Sequence, residues 1–193
     1  MVLRWFLQHF GISLFIATML LTSLSCHAQR LAVKNDAIYD ALLIPNLGME
    51  LKTGGHTTID VEAIYDPISF PSDKKWKNWS VQPEVRFWGC KPFSGMFIGL
   101  NALAGGFNVA RIPVFDFNDK RAQCHLFYGG GVTLGNHYVI SPRWGVETKV
   151  SLDFVHIEYS RYRCGTCGYK EDDIVTNYAG PTSLSVALIY VIK

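Results

Sequence analysis

The last twelve residues of the chain constrain its fold more than any other segment. Polar and apolar side chains alternate there with the period of two that is typical of a β-strand. Leu184, Val186, Leu188, Tyr190 and Ile192 share one face with Thr182, and Ser183, Ser185 and Ala187 lie on the other. Such a strand at the end of an exported chain is typical of a β-barrel that closes on itself in an outer membrane.

The first residues predict an export signal. Arg4 precedes an apolar run over residues 10–21, and a small residue, Ala28, follows. This pattern is that of a cleaved signal peptide, and the run is shorter than the ~20 residues of a spanning helix. We expect cleavage after Ala28, which divides the chain into a signal peptide (1–28) and a β-barrel domain (29–193). Lipidation at Cys26 ranks second, because residues 23–25 form a poor lipobox.

Composition excludes some classes of protein. The formal net charge of +2 is too small to indicate a nucleic-acid partner. Hydrophobic residues make up 49% of the chain, yet the mature part has no run long enough to span a membrane as a helix. Dispersed apolar residues are typical of barrels, whose strands give weak signals one by one.

Turn signals predict the number of strands. Short turns at residues 53–56, 91–95 and 140–143 alternate with longer connections at 66–78, 110–123 and 161–178. Proline is awkward inside a strand, so we divide residues 31–52 near Pro45. The prediction is an all-β, eight-stranded antiparallel up-and-down transmembrane β-barrel with both ends of the barrel domain in the periplasm.

Three further segments show two distinct faces. In residues 144–154 the even positions are mostly apolar, and the odd positions include Glu147, Lys149 and Asp153. Residues 57–66 and 79–89 alternate similarly, whereas residues 97–107 have no clear phase. Six aromatic residues are predicted at membrane–water interfaces: Trp79, Trp88, Tyr138, Trp144, Tyr159 and Tyr190.

Alternation alone fits two orientations. A soluble, lipocalin-like ligand-binding barrel turns its apolar face inward, and a membrane barrel turns it outward. The long strands, the breadth of the apolar face and the lack of a packing helix near residue 193 favour the membrane.

The polar face contains charges of both signs. They are Lys34, Asp36, Glu50, Asp60, Glu62, Glu84, Arg86, Glu147, Lys149 and Asp153. Eight strands leave an interior that side chains can fill, and buried charges are costly unless they are paired. We therefore predict a network of ion pairs that plugs the lumen, rather than a pore.

Several strings resemble a known family. Residues 39–50, 74–88 and 177–182 are similar to the domain of unknown function 3575 family, small outer-membrane β-barrels of Bacteroides-type bacteria, and residues 162–168 resemble one subgroup. The resemblance covers nearly all of the mature chain. It implies an eight-stranded barrel and supplies no catalytic or binding residues.

Cys164 and Cys167 form the sharpest chemical motif. The spacing allows a small disulfide, half of a zinc site or a redox pair. Cys124, His125 and His156 are conceivable further zinc ligands, but a lone pair of cysteines is weak evidence for a metal. Because exported proteins pass through an oxidising compartment, we place the disulfide first. No cofactor is expected.

Catalysis is not expected from the sequence. Ser151 and His156 have opposite parity in one strand, so they face opposite sides of the sheet. We expect a non-enzymatic protein with a structural or surface-interaction role in the cell envelope. The alternative is a lipid-modifying outer-membrane enzyme, for which altered lipid A in a deletion strain would be decisive.

One polar segment mixes lysine with tryptophan. Its candidate membrane-interface or glycan-contact residues are Lys74, Lys75, Trp76, Lys77 and Trp79. Interfacial anchoring is the first interpretation, because Trp and Lys are common there. Contact with a glycan is the second. The expected partners are outer-membrane lipid and a surface component such as a polysaccharide or a fimbrial protein.

Overall fold

The chain folds as one closed antiparallel sheet. A computed structural model describes residues 31–67, 75–110, 121–162 and 170–192. Its strands are β1 (Leu31–Asp36), β2 (Asn46–Lys52), β3 (Thr57–Asp66), β4 (Lys75–Trp88), β5 (Gly95–Ala110), β6 (Arg121–Val139), β7 (Trp144–Tyr162) and β8 (Lys170–Ile192). Each strand pairs with the next, and β1 pairs with β8. The predicted all-β barrel of eight antiparallel strands is confirmed. The predicted signal peptide (1–28) lies outside the described residues.

The predicted break before Pro45 is also confirmed, but it contains a short helix that the sequence did not predict. Helix α1 (Ala37–Ala41) begins after Asp36, whose side chain accepts a hydrogen bond from the Ile38 N–H. The Asn46 side chain ties the two strand ends together, because it accepts from the Asp36 N–H at 2.6 Å and donates to the Asp36 carbonyl. Among the described residues, no helix is long and apolar enough to cross a membrane.

The two ends of the barrel differ. The three predicted short turns lie at one end, which we call the short-turn end. At the other, the long-loop end, lie α1 and the strand ends that lead into the longer connections. The predicted long connections included residues that belong to strands. β4 begins at residue 75, β6 at 121 and β8 at 170, and β7 continues to 162. These strand ends are rich in polar residues, so hydrophobic alternation did not mark them.

The apolar face of the sheet points outward. In β7, Val150, Leu152 and Phe154 are exposed, and the intervening residues are buried. β3 and β4 follow the predicted phase in the same way. A soluble barrel with an apolar interior would have the reverse arrangement.

Two predicted side-chain directions were wrong. Trp88 was predicted at the outer interface, but its side chain is 3% exposed and points inward. Thr182 was placed in phase with Leu184, but its hydroxyl donates to the lumen-facing carboxylate of Asp153. The register between β7 and β8 shifts at this point, and a β-bulge of this kind changes the face to which a residue points.

Candidate functional site: the filled barrel interior and its outer rim

Arg86 is the centre of the barrel interior. It projects from β4, and its side chain has no solvent exposure. Its guanidinium forms ion pairs with Glu50 (3.0 Å), Asp60 (2.7 Å), Glu84 (2.7 Å) and Glu147 (2.9 Å), and approaches Glu62 at 3.6 Å. The guanidinium carbon also lies 4.4 Å from the centre of the Phe97 ring. One cation thus links acids from β2, β3, β4 and β7.

Two lysines complete this network. Lys34 of β1 contacts Glu50 and lies 3.3 Å from both Asp60 and Glu147. Lys149 of β7 lies 2.6 Å from Glu62, near the margin of the cluster. Removing charges from water is compensated only when partners are close and well oriented. Here the partners are close, and several contacts, among them those of Asp60 and Lys149, are ion pairs without hydrogen-bond geometry.

Neutral polar groups form a second layer beside the ion pairs. Asn101 donates to the Thr133 hydroxyl at 3.0 Å, and Thr133 lies 2.9 Å from the Ser151 hydroxyl. Gln82 reaches Ser151 at 3.5 Å. Asp153 is buried next to this layer and accepts the hydrogen bond from Thr182.

An apolar floor closes the short-turn end. The Trp88 ring lies 4.8 Å from the Phe97 ring and 6.1 Å from the Phe93 ring, measured between centroids. The indole N–H donates to the Thr58 hydroxyl at 2.9 Å. Buried Ala32, Ile189 and Val191 complete the floor with Phe93. The sequence contained one signal for the inward direction of Trp88. It lies two residues after Arg86, so both side chains face the same side of β4.

Glycines on the inner face make room for these long side chains. A Cβ atom on Gly99 would lie 2.3 Å from the Glu84 carboxylate, and one on Gly131 would lie 2.4 Å from the Asp153 carboxylate. One on Gly145 would lie 2.2 Å from the His137 ring. Glycine therefore stands in these strands because another residue's side chain fills the space.

We expect Gly99→Ala to lower the free energy of unfolding by about 1–3 kcal/mol, since the added methyl displaces the Glu84 carboxylate in a filled core. Gly89→Ala is the matched control, because a Cβ there meets only ordinary contact at 3.6 Å. Urea unfolding in detergent micelles measures both variants. Equal midpoints for the two would contradict this explanation of the glycine.

Eight of the ten charged residues predicted for the lumen meet in the ion-pair network: Lys34, Glu50, Asp60, Glu62, Glu84, Arg86, Glu147 and Lys149. Asp153 lies in the neighbouring polar layer, and Asp36 caps α1. The side chains fill the interior closely: the cavity beside Lys34 and Asp36, beneath α1, has a volume of about 10 Å³, which is room for about one water molecule. Chemically, this arrangement can hold strands together.

The other predicted site residues lie elsewhere. Cys164, Cys167 and Lys74 are outside the described residues, so the disulfide, zinc and redox interpretations stay predictions. Lys75 and Trp76 belong to β4, and Lys77 and Trp79 are exposed on its outer face.

The conceivable further zinc ligands do not converge. Cys124 is buried, whereas His125 is exposed and His156 points outward. Within the described ranges, no three His, Cys, Asp or Glu residues are placed to hold a metal ion. Ser151 is buried in the lumen, on the face opposite His156, as the parity argument requires.

His156 has a polar environment at the outer rim. Its Nδ1 lies 2.7 Å from the Asn177 side-chain oxygen, and its Nε2 lies 3.2 Å from a Glu158 carboxylate oxygen. Both partners accept hydrogen bonds, so only the imidazolium can donate to both. These two hydrogen bonds raise the pKa of His156 above its ordinary value of 6.5.

The raised pKa gives a signed prediction. The His156 contribution to β7–β8 pairing is fully present below the ordinary pKa and is lost as the pH rises through the folded-state value. We expect an NMR titration of the His156 ring to have its midpoint above 6.5, and Asn177→Ala with Glu158→Gln to return it towards 6.5. Glu171→Gln, elsewhere on β8, is the control. A midpoint that the double variant leaves unchanged would refute this assignment.

Fold and interior together define a class: a small closed antiparallel β-barrel with an apolar exterior and an ion-paired, filled interior. The chain matches the family described as "Protein of unknown function (DUF3575)" over residues 14–192 and belongs to it. This confirms the resemblance found in the sequence. The search of curated proteins found no match.

Proposed function

We propose that this protein is a non-enzymatic outer-membrane β-barrel that contributes to the structure of the cell envelope or presents its long-loop end to a surface partner. The observation that carries the proposal is the inversion of the usual arrangement: apolar side chains face outward and salt-paired ones face inward. In water the exposed apolar surface would be unfavourable, whereas lipid is its natural solvent.

The length of the outward apolar belt supports this environment. On β7 the outward residues run from Trp144 to Phe154, and His156 and Glu158 follow. A strand of 9–11 residues is the length that crosses a bilayer at the usual tilt. The belt on β4 ends similarly. Towards the long-loop end, the outward-facing residue next to Trp79 is the charged Lys77.

Aromatic residues stand at both edges of the belt. Tyr138, Trp144 and Tyr190 lie near the short-turn end, and the rings of Trp144 and Tyr190 are 4.8 Å apart. Exposed Tyr65, Trp79 and Tyr128 lie at the long-loop edge. Two aromatic girdles that flank an apolar band are characteristic of outer-membrane barrels, and the predicted signal peptide provides a route of export.

The filled interior favours a structural role over transport. Ion pairs and the apolar floor occupy the lumen, and the outer rim remains as the surface for contact with a partner. The expected partners are outer-membrane lipid and a surface polysaccharide or fimbrial component. Ser151 and His156 form no nucleophile–base pair, since they face opposite sides of the sheet.

Heat-modifiable gel migration tests the proposal, because closed membrane barrels stay folded in detergent until boiled. We expect the unboiled protein to migrate differently from the boiled protein, and cell fractionation to place it in the outer-membrane pellet. A mature protein found in the periplasmic supernatant, monodisperse without detergent, would refute the proposal. The filled lumen also predicts no ion current in planar bilayers, and a steady conductance would refute the plug.

A further inference from the structure

We propose that a cleft on the outside of the barrel, at the long-loop edge of the apolar belt, binds the sugar–phosphate headgroup of an outer-leaflet glycolipid. The cleft lies across β3, β4, β5 and β6 and has a volume of about 250 Å³. Aromatic and polar residues line it together, including Tyr65, Lys77, Trp79, Asn108 and His125. The inference rests on the membrane location proposed above and adds a ligand to it.

The first wall of the cleft is a cross-strand row of aromatic residues. The register places Tyr65 beside Trp79 and Trp79 beside Gly106. Gly106 has no side chain, and the Trp79 indole occupies the space: a Cβ on Gly106 would lie 2.8 Å from the indole nitrogen. Tyr65 is 63% and Trp79 39% exposed. Rings fixed in this way present an apolar face, suited to the C–H face of a sugar, together with a polar edge.

The second wall is a polar row one step further from the belt. Lys77 pairs with Asn108, and Asn108 pairs with Gln123. The Gln123 side-chain nitrogen lies 3.3 Å from His125 Nε2. Amide and imidazole groups can exchange hydrogen bonds with sugar hydroxyls, and the exposed lysine ammonium supplies charge for a phosphate.

Two irregularities in the sheet shape the cleft. The β5–β6 register shifts between Gly105 and Phe107, and the β6–β7 register shifts between Gln123 and Phe127. Bulges bend the strand that contains them and redirect its side chains. The two shifts lie at the same level of the barrel wall and produce a concavity where a regular sheet would be smooth.

The position of the cleft selects the ligand. Below it lie exposed Val81 and Val85 of the apolar belt, and its own upper wall is the polar row of Lys77, Asn108 and Gln123. A group held there sits at the depth of the lipid headgroups, where aromatic and basic residues meet the polar part of a lipid. A glycolipid offers sugar rings to the aromatic wall and phosphate to Lys77, and its acyl chains continue along the belt.

The test uses the full mature protein in detergent micelles and the soluble, fully deacylated glycolipid headgroup, a phosphorylated glucosamine disaccharide, as the probe. We expect saturable binding by isothermal calorimetry, weakened at least tenfold by Trp79→Ala and also weakened by Lys77→Gln. Trp144→Ala is the matched control, because this exposed tryptophan lies at the opposite edge of the belt. Inorganic phosphate alone should neither bind nor compete at the same concentration.

Each other outcome overturns the cleft as a headgroup site: no saturable binding, equal binding by the Trp79→Ala variant, equal loss in the Trp144→Ala variant, or equal binding of inorganic phosphate. Heat-modifiable migration of the same samples shows that each variant is folded. It also separates the two proposals. A wild-type protein that is not heat-modifiable contradicts the membrane barrel, whereas a heat-modifiable protein without binding contradicts only the cleft.

Discussion

Replacing Arg86 by alanine should lower the free energy of unfolding by about 3–5 kcal/mol, the usual cost of removing one partner from a buried ion pair. The guanidinium lies within 3.6 Å of five carboxylates, and all of them except Glu62 are fully buried. Without it, mutually repelling acids remain buried, with Lys34 and Lys149 as the nearby bases. Urea titration in micelles, followed by the heat-modifiable gel shift, measures the change, and folding yield should fall with it.

Arg143→Ala is the matched control for this prediction. Arg143 carries the same charge but lies exposed in the β6–β7 turn, where it donates to the Tyr190 hydroxyl at 3.2 Å. Exposed interactions of this kind contribute little to stability, so the urea midpoint of the Arg143→Ala variant should stay near that of the wild type. Equal midpoints for the two variants would show that the Arg86 network does not stabilise the barrel. The Arg86→Ala variant should open no conductance, because the aromatic floor still closes the lumen.

The second large effect is expected on the outer face. Val150 lies in the middle of the β7 belt, paired with Leu134 and Leu184. In a bilayer, Val150→Arg should lower the free energy of unfolding by about 2–4 kcal/mol, the cost of arginine at the midplane of a membrane barrel. Unfolding from lipid vesicles in a guanidinium series gives this value.

Val175→Arg is the control, because Val175 is an exposed valine on the outer extension of β8, beyond the belt. In water, such surface substitutions usually change the free energy of unfolding by no more than about 0.5 kcal/mol. If Val150→Arg proved as mild as Val175→Arg, the belt would face water and the membrane assignment would be wrong.

Much of this architecture could be read from the sequence. The alternation in β3, β4 and β7 gave the correct faces because one side of each strand meets a polar, filled interior and the other does not. Pro45 marked the break between β1 and β2, since proline cannot donate to a ladder. The short turns and their parity then gave the number of strands.

Other features could not be predicted, for local reasons. β5 carries small residues on both faces, such as Gly99 on the inner one and Ala102 on the outer one, so its phase was unreadable, and Phe97 was missed as a neighbour of Arg86. The bulge near Thr182 reversed a side chain, and the preceding Gly180 and Pro181, residue types that often mark a bulge, were a signal that the alternation argument did not use. The outer extensions of β7 and β8 are strands with polar residues on both faces, and their ladder hydrogen bonds depend on neighbours rather than on periodicity.

The sequence by itself determined which residues face which side, because a strand has a period of two and each side chain prefers one solvent. Only the tertiary structure decided which charges meet. Residues as distant as Lys34, Arg86 and Glu147 come together only when β1 pairs with β8 and the ring closes. Closure is a property of the whole sheet, so the ion-pair network follows from it and not from any single segment. The cleft at the outer rim follows from the pairing of β3, β4, β5 and β6.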